Sequence, residues 1–119
     1  MKTLTATFLT VILLMSSLAP SFAGAIPGPK RDRFRLCANC YDRWQVSFRG
    51  GEMAEVFVSG DGDTDLDLYV YDSNGNLIAS DEDDSDDCYV RWTPRWTGRF
   101  IIKVVNRGGV YNHFGIATN

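Results

Sequence analysis

An antiparallel β-sandwich, jelly-roll-like and of about seven strands, is the fold class that the chain predicts. Three observations carry that expectation. Apolar residues recur with period two in short runs, breaks rich in Gly, Asn and Asp separate the runs at intervals of about ten residues, and no stretch shows the 3.6 period of an amphipathic helix. The composition is that of one ordinary globular domain: 119 residues, 45% hydrophobic and 23% charged.

Residues 1–23 read as a secretory signal peptide, with Lys2 at the positive start, an apolar run from Phe8 to Met15, and Ser21-Phe22-Ala23 at the cleavage position. The run is short for a bilayer and no second one follows, so no membrane span is expected. No cysteine follows it at once, which argues against a lipid anchor. Residues 24–40 read as a flexible leader, because Gly24, Pro27, Gly28 and Pro29 sit among charges with no apolar periodicity. The sandwich is expected over residues 41–119.

Within it, Trp44, Val46 and Phe48 alternate with Arg43, Gln45 and Ser47, and Arg49-Gly50-Gly51-Glu52 supplies a break. Ala54, Val56 and Val58 mark a second strand that ends at Ser59-Gly60-Asp61-Gly62-Asp63. Leu66, Leu68 and Val70 then share one parity, and Asp65, Asp67, Tyr69 and Tyr71 the other, so one face is core and the other wet. Asp72-Ser73-Asn74-Gly75-Asn76 carries an Asn-Gly pair that tolerates the positive φ angles of a tight hairpin, and Leu77-Ile78-Ala79 returns. Cys88, Val90 and Trp92 alternate up to Pro94, which ends the run for lack of an N–H. Phe100 to Val105 and Tyr111 to Thr118 complete the set.

These residues also carry a resemblance. Asp65-Leu66-Asp67-Leu68-Tyr69-Val70-Tyr71-Asp72, Gly75-Asn76-Leu77-Ile78-Ala79-Ser80 and the run from Thr97 to Asn106 with Tyr111 resemble the bacterial pre-peptidase C-terminal (PPC) domain, over roughly Trp44 to Thr118. The resemblance implies a β-sandwich that accompanies exported peptidases, is often removed on maturation and is not itself catalytic. Related collagen-binding modules bind extracellular polymers and calcium. The chain departs from that pattern in having only the module and a short leader, with no counterpart before Trp44 of the relatives' calcium-chelating segment.

Charge narrows the function classes. The chain has 12 basic and 15 acidic residues; without Lys2 the balance is 11 against 15, a net charge of −4, which disfavours a nucleic-acid binder. The charges are segregated: Lys30, Arg31, Arg33 and Arg35 stand at the start, and six acids fill the seven positions from Asp81 to Asp87. Asp61, Asp63 and Asp65 in one loop, with Asp83, Asp84, Asp86 and Asp87 in the other, form a candidate calcium site, because calcium takes six to eight hard oxygen ligands. An EF-hand is excluded, since Leu66 stands where the sharp turn needs glycine. The alternative is that the acids are solvated and keep strand edges from pairing, with Arg91, Arg95 and Arg99 as counter-charges.

Cys37, Cys40 and Cys88 are an odd number in an exported chain, so at most one internal disulfide forms. A bridge from Cys37 or Cys40 to Cys88 and a local Cys37 to Cys40 bridge both remain open, the latter leaving Cys88 a buried thiol. Redox chemistry at the CxxC is disfavoured because no helix follows it; zinc on Cys37, Cys40, Cys88 and His113 is disfavoured by the oxidising compartment. His113 falls on exposed parity, and a chain this small leaves little room for an enclosed active site, so no enzyme is expected.

The aromatics favour binding. Tyr69 and Tyr71 on one wet face, and Tyr89 and Arg91 on the outward parity of their own strand, are the candidate binding surface. Trp44 and Trp92 belong to the core parity; Trp96 sits in a turn with either placement open. Two readings follow. One is a secreted or periplasmic binding module for an extracellular polymer or protein partner, needing no cofactor beyond calcium. The other is a structural or interaction protein attached at the cell surface through its leader or spare cysteine.

Overall fold

A computed structural model describes residues 24–119; the expected signal segment, residues 1–23, lies outside the described residues. Nine strands follow in order: β1 (Ala25–Ile26), β2 (Lys30–Leu36), β3 (Tyr41–Phe48), β4 (Ala54–Ser59), β5 (Leu66–Asp72), β6 (Leu77–Asp81), β7 (Asp87–Trp92), β8 (Gly98–Asn106) and β9 (Asn112–Thr118). They form two antiparallel sheets, one ordered β1-β3-β8-β5-β6 and the other β2-β9-β4-β7. Among the described residues no helix is long and apolar enough to cross a membrane.

The pairings β2 with β9, β3 with β8, β4 with β7 and β5 with β6 nest inside one another. The chain is thus a long four-rung hairpin rolled into two layers, the jelly-roll arrangement, with the turn between β5 and β6 at its tip. That turn is tighter in its demands than the Asn-Gly pair suggests. The Gly75 N–H donates to the Asp72 carbonyl at 3.1 Å and the Asp72 N–H to the Asn76 carbonyl at 2.9 Å. Only Gly75 takes a positive φ, 84°, and Asn74 does not. The loop is therefore a three-residue one closed by a left-handed glycine rather than a two-residue one with two positive φ angles.

The core lies between the sheets. Val46, Phe48, Leu66, Leu68, Val70, Ile102 and Val104 from one layer meet Val56, Val58, Val90 and Phe114 from the other. Each set comes from alternate positions, so the period of two is the period of burial. Trp44 packs on Phe34 and Phe114, with ring centroids 4.8 and 6.0 Å apart, and Trp92 on Phe48 and Phe100 at 4.8 and 5.3 Å. Both therefore have the core role that their parity predicts. Trp96 is 75% exposed.

The stretch expected as a flexible leader holds β1 and β2 instead. β1 pairs with β3, and the Ala25 N–H donates to the carbonyl of Asn119 at 2.7 Å, tying β1 to the residue that follows β9. β2 pairs with β9 along its whole length. Only Phe34 and Leu36 of β2 are apolar and pack on the core, and an edge strand covering the end of a core needs no more, so its apolar alternation is sparse. The seven predicted strands are β3 to β9; these two are the addition.

Candidate functional site

The outer face of the five-stranded sheet carries Tyr69 and Tyr71, two positions apart on β5. Their rings stack with centroids 6.4 Å apart and planes 22° from parallel. The Tyr69 hydroxyl accepts a hydrogen bond from Arg107 Nη2 at 3.0 Å and donates to Glu82 Oε2 at 3.2 Å. Burial, partly offset by the Arg107 hydrogen bond, raises the phenol's pKa above its ordinary 10.0. Arg107 also donates from Nε to Asp67 Oδ2 at 2.8 Å, and that bond above all raises the guanidinium's own pKa. On β3, beyond β8 in the same sheet, Tyr41 is exposed, with Lys103 Nζ 4.5 Å from its ring centroid.

Tyr89 and Arg91 do not join this face. β7 belongs to the other sheet, so the two halves of the expected binding surface lie on opposite outer faces of the sandwich. Tyr89 stacks on Phe57 of β4, with centroids 4.7 Å apart and planes 28° from parallel, and its hydroxyl donates to Glu55 Oε2 at 2.6 Å. Phe57 was not singled out from sequence, although it is the one apolar residue on the outward parity of its strand.

The acidic loops do meet. The Gly60 N–H donates to the Asp86 carbonyl at 3.0 Å and the Leu66 N–H to the Ser85 carbonyl at 3.3 Å. Asp86 Oδ2 accepts from the Gly62 N–H and from Asn112 Nδ2, while Asn112 Oδ1 accepts the Asp61 N–H at 3.1 Å. Asp61 accepts the His113 N–H at 2.8 Å and the Asp63 N–H at 3.0 Å, and the first of these chiefly draws its pKa below 3.8. Asp83 accepts the Ser85 N–H at 3.0 Å, and Asp87 the Ser59 hydroxyl at 3.2 Å. These carboxylates therefore act as loop braces. Among the described residues no group of three or more His, Cys, Asp or Glu side chains is arranged to hold a metal ion. Asp65 differs from its neighbours: its Oδ1, like that of Asp67, is buried without a hydrogen-bond partner. Desolvation, then the charges of Asp67, Asp84 and Asp83, raise the Asp65 pKa above 3.8.

Cys37 and Cys40 are bridged, with Cα atoms 5.3 Å apart. Cys88 is a free thiol, 3% exposed, donating from Sγ to the Leu66 carbonyl at 3.1 Å. The alternative bridge to Cys88 is excluded, and so is the zinc set, whose cysteines are separated. A thiol in this position cannot attach the chain to another molecule either, which removes the spare-cysteine reading. His113 is exposed, its Nδ1 3.7 Å from Asp61 Oδ2.

No family model matches the chain, and no curated protein matches it by sequence. Solved structures do. The pre-peptidase C-terminal domain of a Bacillus anthracis collagenase superimposes with a TM-score of 0.60 at 8% identity, covering 76% of this chain and 88% of that one. The Yersinia pseudotuberculosis-derived mitogen gives 0.58 at 12% identity, over 79% and 86% of the two chains. Aeromonas hydrophila PliG, a periplasmic inhibitor of g-type lysozyme, gives 0.57 at 12% identity, over 76% and 84%. At these identities the likeness is one of fold: the chain shares its β-sandwich with all three.

Proposed function

We propose that the chain is a noncatalytic β-sandwich binding module of the PPC type, exported from the cell, that engages an extracellular polymer or protein partner through the outer face of its five-stranded sheet. The observation that carries this reading is the Tyr69 and Tyr71 pair. Tyr69 is held at its hydroxyl by Arg107 and Glu82, so a ligand meets an aromatic surface whose side-chain entropy is already spent. Export is supported by the Cys37 to Cys40 disulfide, which persists in oxidising compartments. The test is binding to insoluble polysaccharides, collagen-like peptides and cell-envelope fractions. Tyr71→Ala should lose retention while its unfolding midpoint stays unchanged; retention equal to the parent protein's removes this face from the proposal.

Calcium enters as an ordering ion. The partnerless buried oxygens of Asp65 and Asp67 favour a cation there, with the exposed side chains of Asp83 and Asp84 turning in to complete an oxygen shell. Millimolar calcium should raise the unfolding midpoint, with chelator reversing it, and Asp65→Asn should abolish the rise. A midpoint indifferent to calcium ends this part of the reading.

A further inference from the structure

The outer face of the four-stranded sheet is built differently from the tyrosine face and lies on the opposite side of the molecule. Reading across it, Arg31 of β2 is registered with Ala117 of β9, which is registered with Phe57 of β4, which is registered with Tyr89 of β7. The next row runs Arg33, Gly115, Ser59, Asp87. A column of small residues, Gly115 and Ala117, is thus walled by arginines on one side and by aromatics on the other. The resulting groove has a volume of about 260 Å³. β2 and β4 stand two strand spacings apart, about 9.5 Å, which admits one ring or one extended chain. Phe57 and Tyr89 are 45% and 40% exposed. Tyr89 occupies one face of the Phe57 ring, so the other face looks over Ala117 into the groove.

The arginine wall carries an excess of positive charge. Arg31, Arg33 and Arg35 stand at alternate positions of one strand, about 6.6 Å apart, inside a Debye length of about 8 Å at physiological salt. All three are exposed. Arg35 is drawn aside, its guanidinium 4.1 Å from the Tyr111 ring centroid. Among the described residues neither Arg31 nor Arg33 has a carboxylate within ion-pair distance. Glu55, Asp87 and Asp61 lie outside the groove lining, held by hydrogen bonds from the Tyr89 hydroxyl, the Ser59 hydroxyl and the His113 N–H. Asp32, between the arginines, is the one acid of the groove lining; its Oδ1 accepts the Arg33 N–H at 2.8 Å, and two guanidiniums stand against its single charge. In a chain of net charge −3, two unpaired guanidiniums side by side on one wall call for an anionic partner.

We propose that this groove binds an anionic polysaccharide, with its carboxylate or sulfate groups on Arg31 and Arg33 and a sugar ring on the Gly115 and Ala117 floor against Phe57. Guanidinium forks pair with either oxyanion in two-point fashion. An acidic peptide fits less well. The β9 floor is already hydrogen-bonded to β2 and to β4, so it offers an extended peptide no free backbone donors or acceptors. Recognition must come from side chains alone, a charged wall facing an aromatic one, which suits a charged ring-bearing polymer.

Affinity electrophoresis and calorimetry of the full chain would use heparin as the sulfated probe, polygalacturonate as the carboxylated one, dextran as a neutral control and poly-glutamate as an acidic peptide. Binding to heparin or polygalacturonate but not to dextran, weakening with added salt, is expected, and which of the two binds tells sulfate from carboxylate. Arg31→Ala with Arg33→Ala should weaken it by about tenfold or more, as loss of charge-assisted hydrogen bonds does. Arg31→Lys with Arg33→Lys should restore part of it, and Phe57→Ala should weaken it further without moving the unfolding midpoint. Tyr71→Ala, on the opposite face, should leave it unchanged, so failure here and failure of the tyrosine face are separate results. No binding to either anionic polysaccharide, binding unaffected by the double arginine substitution, or tighter binding to poly-glutamate would each overturn the proposal.

Discussion

Arg107 Nε donates to Asp67 Oδ2 at 2.8 Å, and the two side chains differ sharply in setting: that of Asp67 is 7% exposed and that of Arg107 52%. A buried acid on an outward-facing position of β5 is thus neutralised by a residue just beyond β8. The same guanidinium holds the Tyr69 hydroxyl, so one side chain links the stability of the sheet to the shape of its aromatic face.

Arg107→Ala should therefore destabilise the fold by about 2 kcal/mol, a figure reduced from that of a fully buried pair because the arginine is half in solvent. Urea unfolding would measure it, and near-ultraviolet circular dichroism should report loosened tyrosines. A change below about 0.5 kcal/mol, the range of neutral surface substitutions, contradicts the role given to the pair.

Acid titration should separate two aspartates of opposite sign. The Asp72 carboxyl is held below 3.8, first by the Asn76 side-chain amide and next by the Asn76 N–H. Its contribution is present above 3.8 and is lost as pH falls through its lowered folded value. Asp65 is raised above 3.8, so its ionisation costs stability at neutral pH, and that cost is relieved as pH falls from its raised value toward 3.8. In calcium-free buffer, Asp65→Asn should be more stable than the parent protein at pH 7 and lose that advantage near pH 4. Asp72→Asn should be less stable at pH 7 and show a shallower loss in acid. Chemical denaturation across that range checks both signs.

Thiol counting should find no reactive cysteine in the native protein and one after unfolding without reductant. Burial, helped by nearby carboxylates, pushes the Cys88 thiol up to about 12, so almost no thiolate exists at neutral pH. A thiol that reacts at native conditions as fast as a free one would contradict the buried placement.

Phe34→Ala should cost about 2 to 3 kcal/mol, toward the low end for a phenylalanine because the ring is only half-buried. The ring lies 4.8 Å from Trp44 and 5.9 Å from Phe114. Its loss should unseat β2 and red-shift tryptophan emission. If polysaccharide binding at the arginine groove survives that substitution undiminished, β2 is not the wall it is drawn as.

The central strands were legible in the residues alone. Leu66, Leu68 and Val70 against Asp67, Tyr69 and Tyr71 assign both faces of β5, because side chains alternate across a strand whatever sheet it joins. The same rule placed His113 outward and Trp44, Trp92 and Cys88 inward. Period two names a face but not the neighbour across it. Tyr69 and Tyr89 share outward parity yet stand on opposite sides of the sandwich, since β5 belongs to one sheet and β7 to the other. Arg107 meets Asp67 across 40 residues of sequence. β2 was invisible because its apolar residues, Phe34 and Leu36, cover only the end of the core, while its arginines looked like the charges of a leader. Local alternation depends on backbone geometry and can be read from one strand at a time. Which cysteine meets which, and which faces become one surface, depend on the nested pairing of distant strands, and only the rolled hairpin decides that.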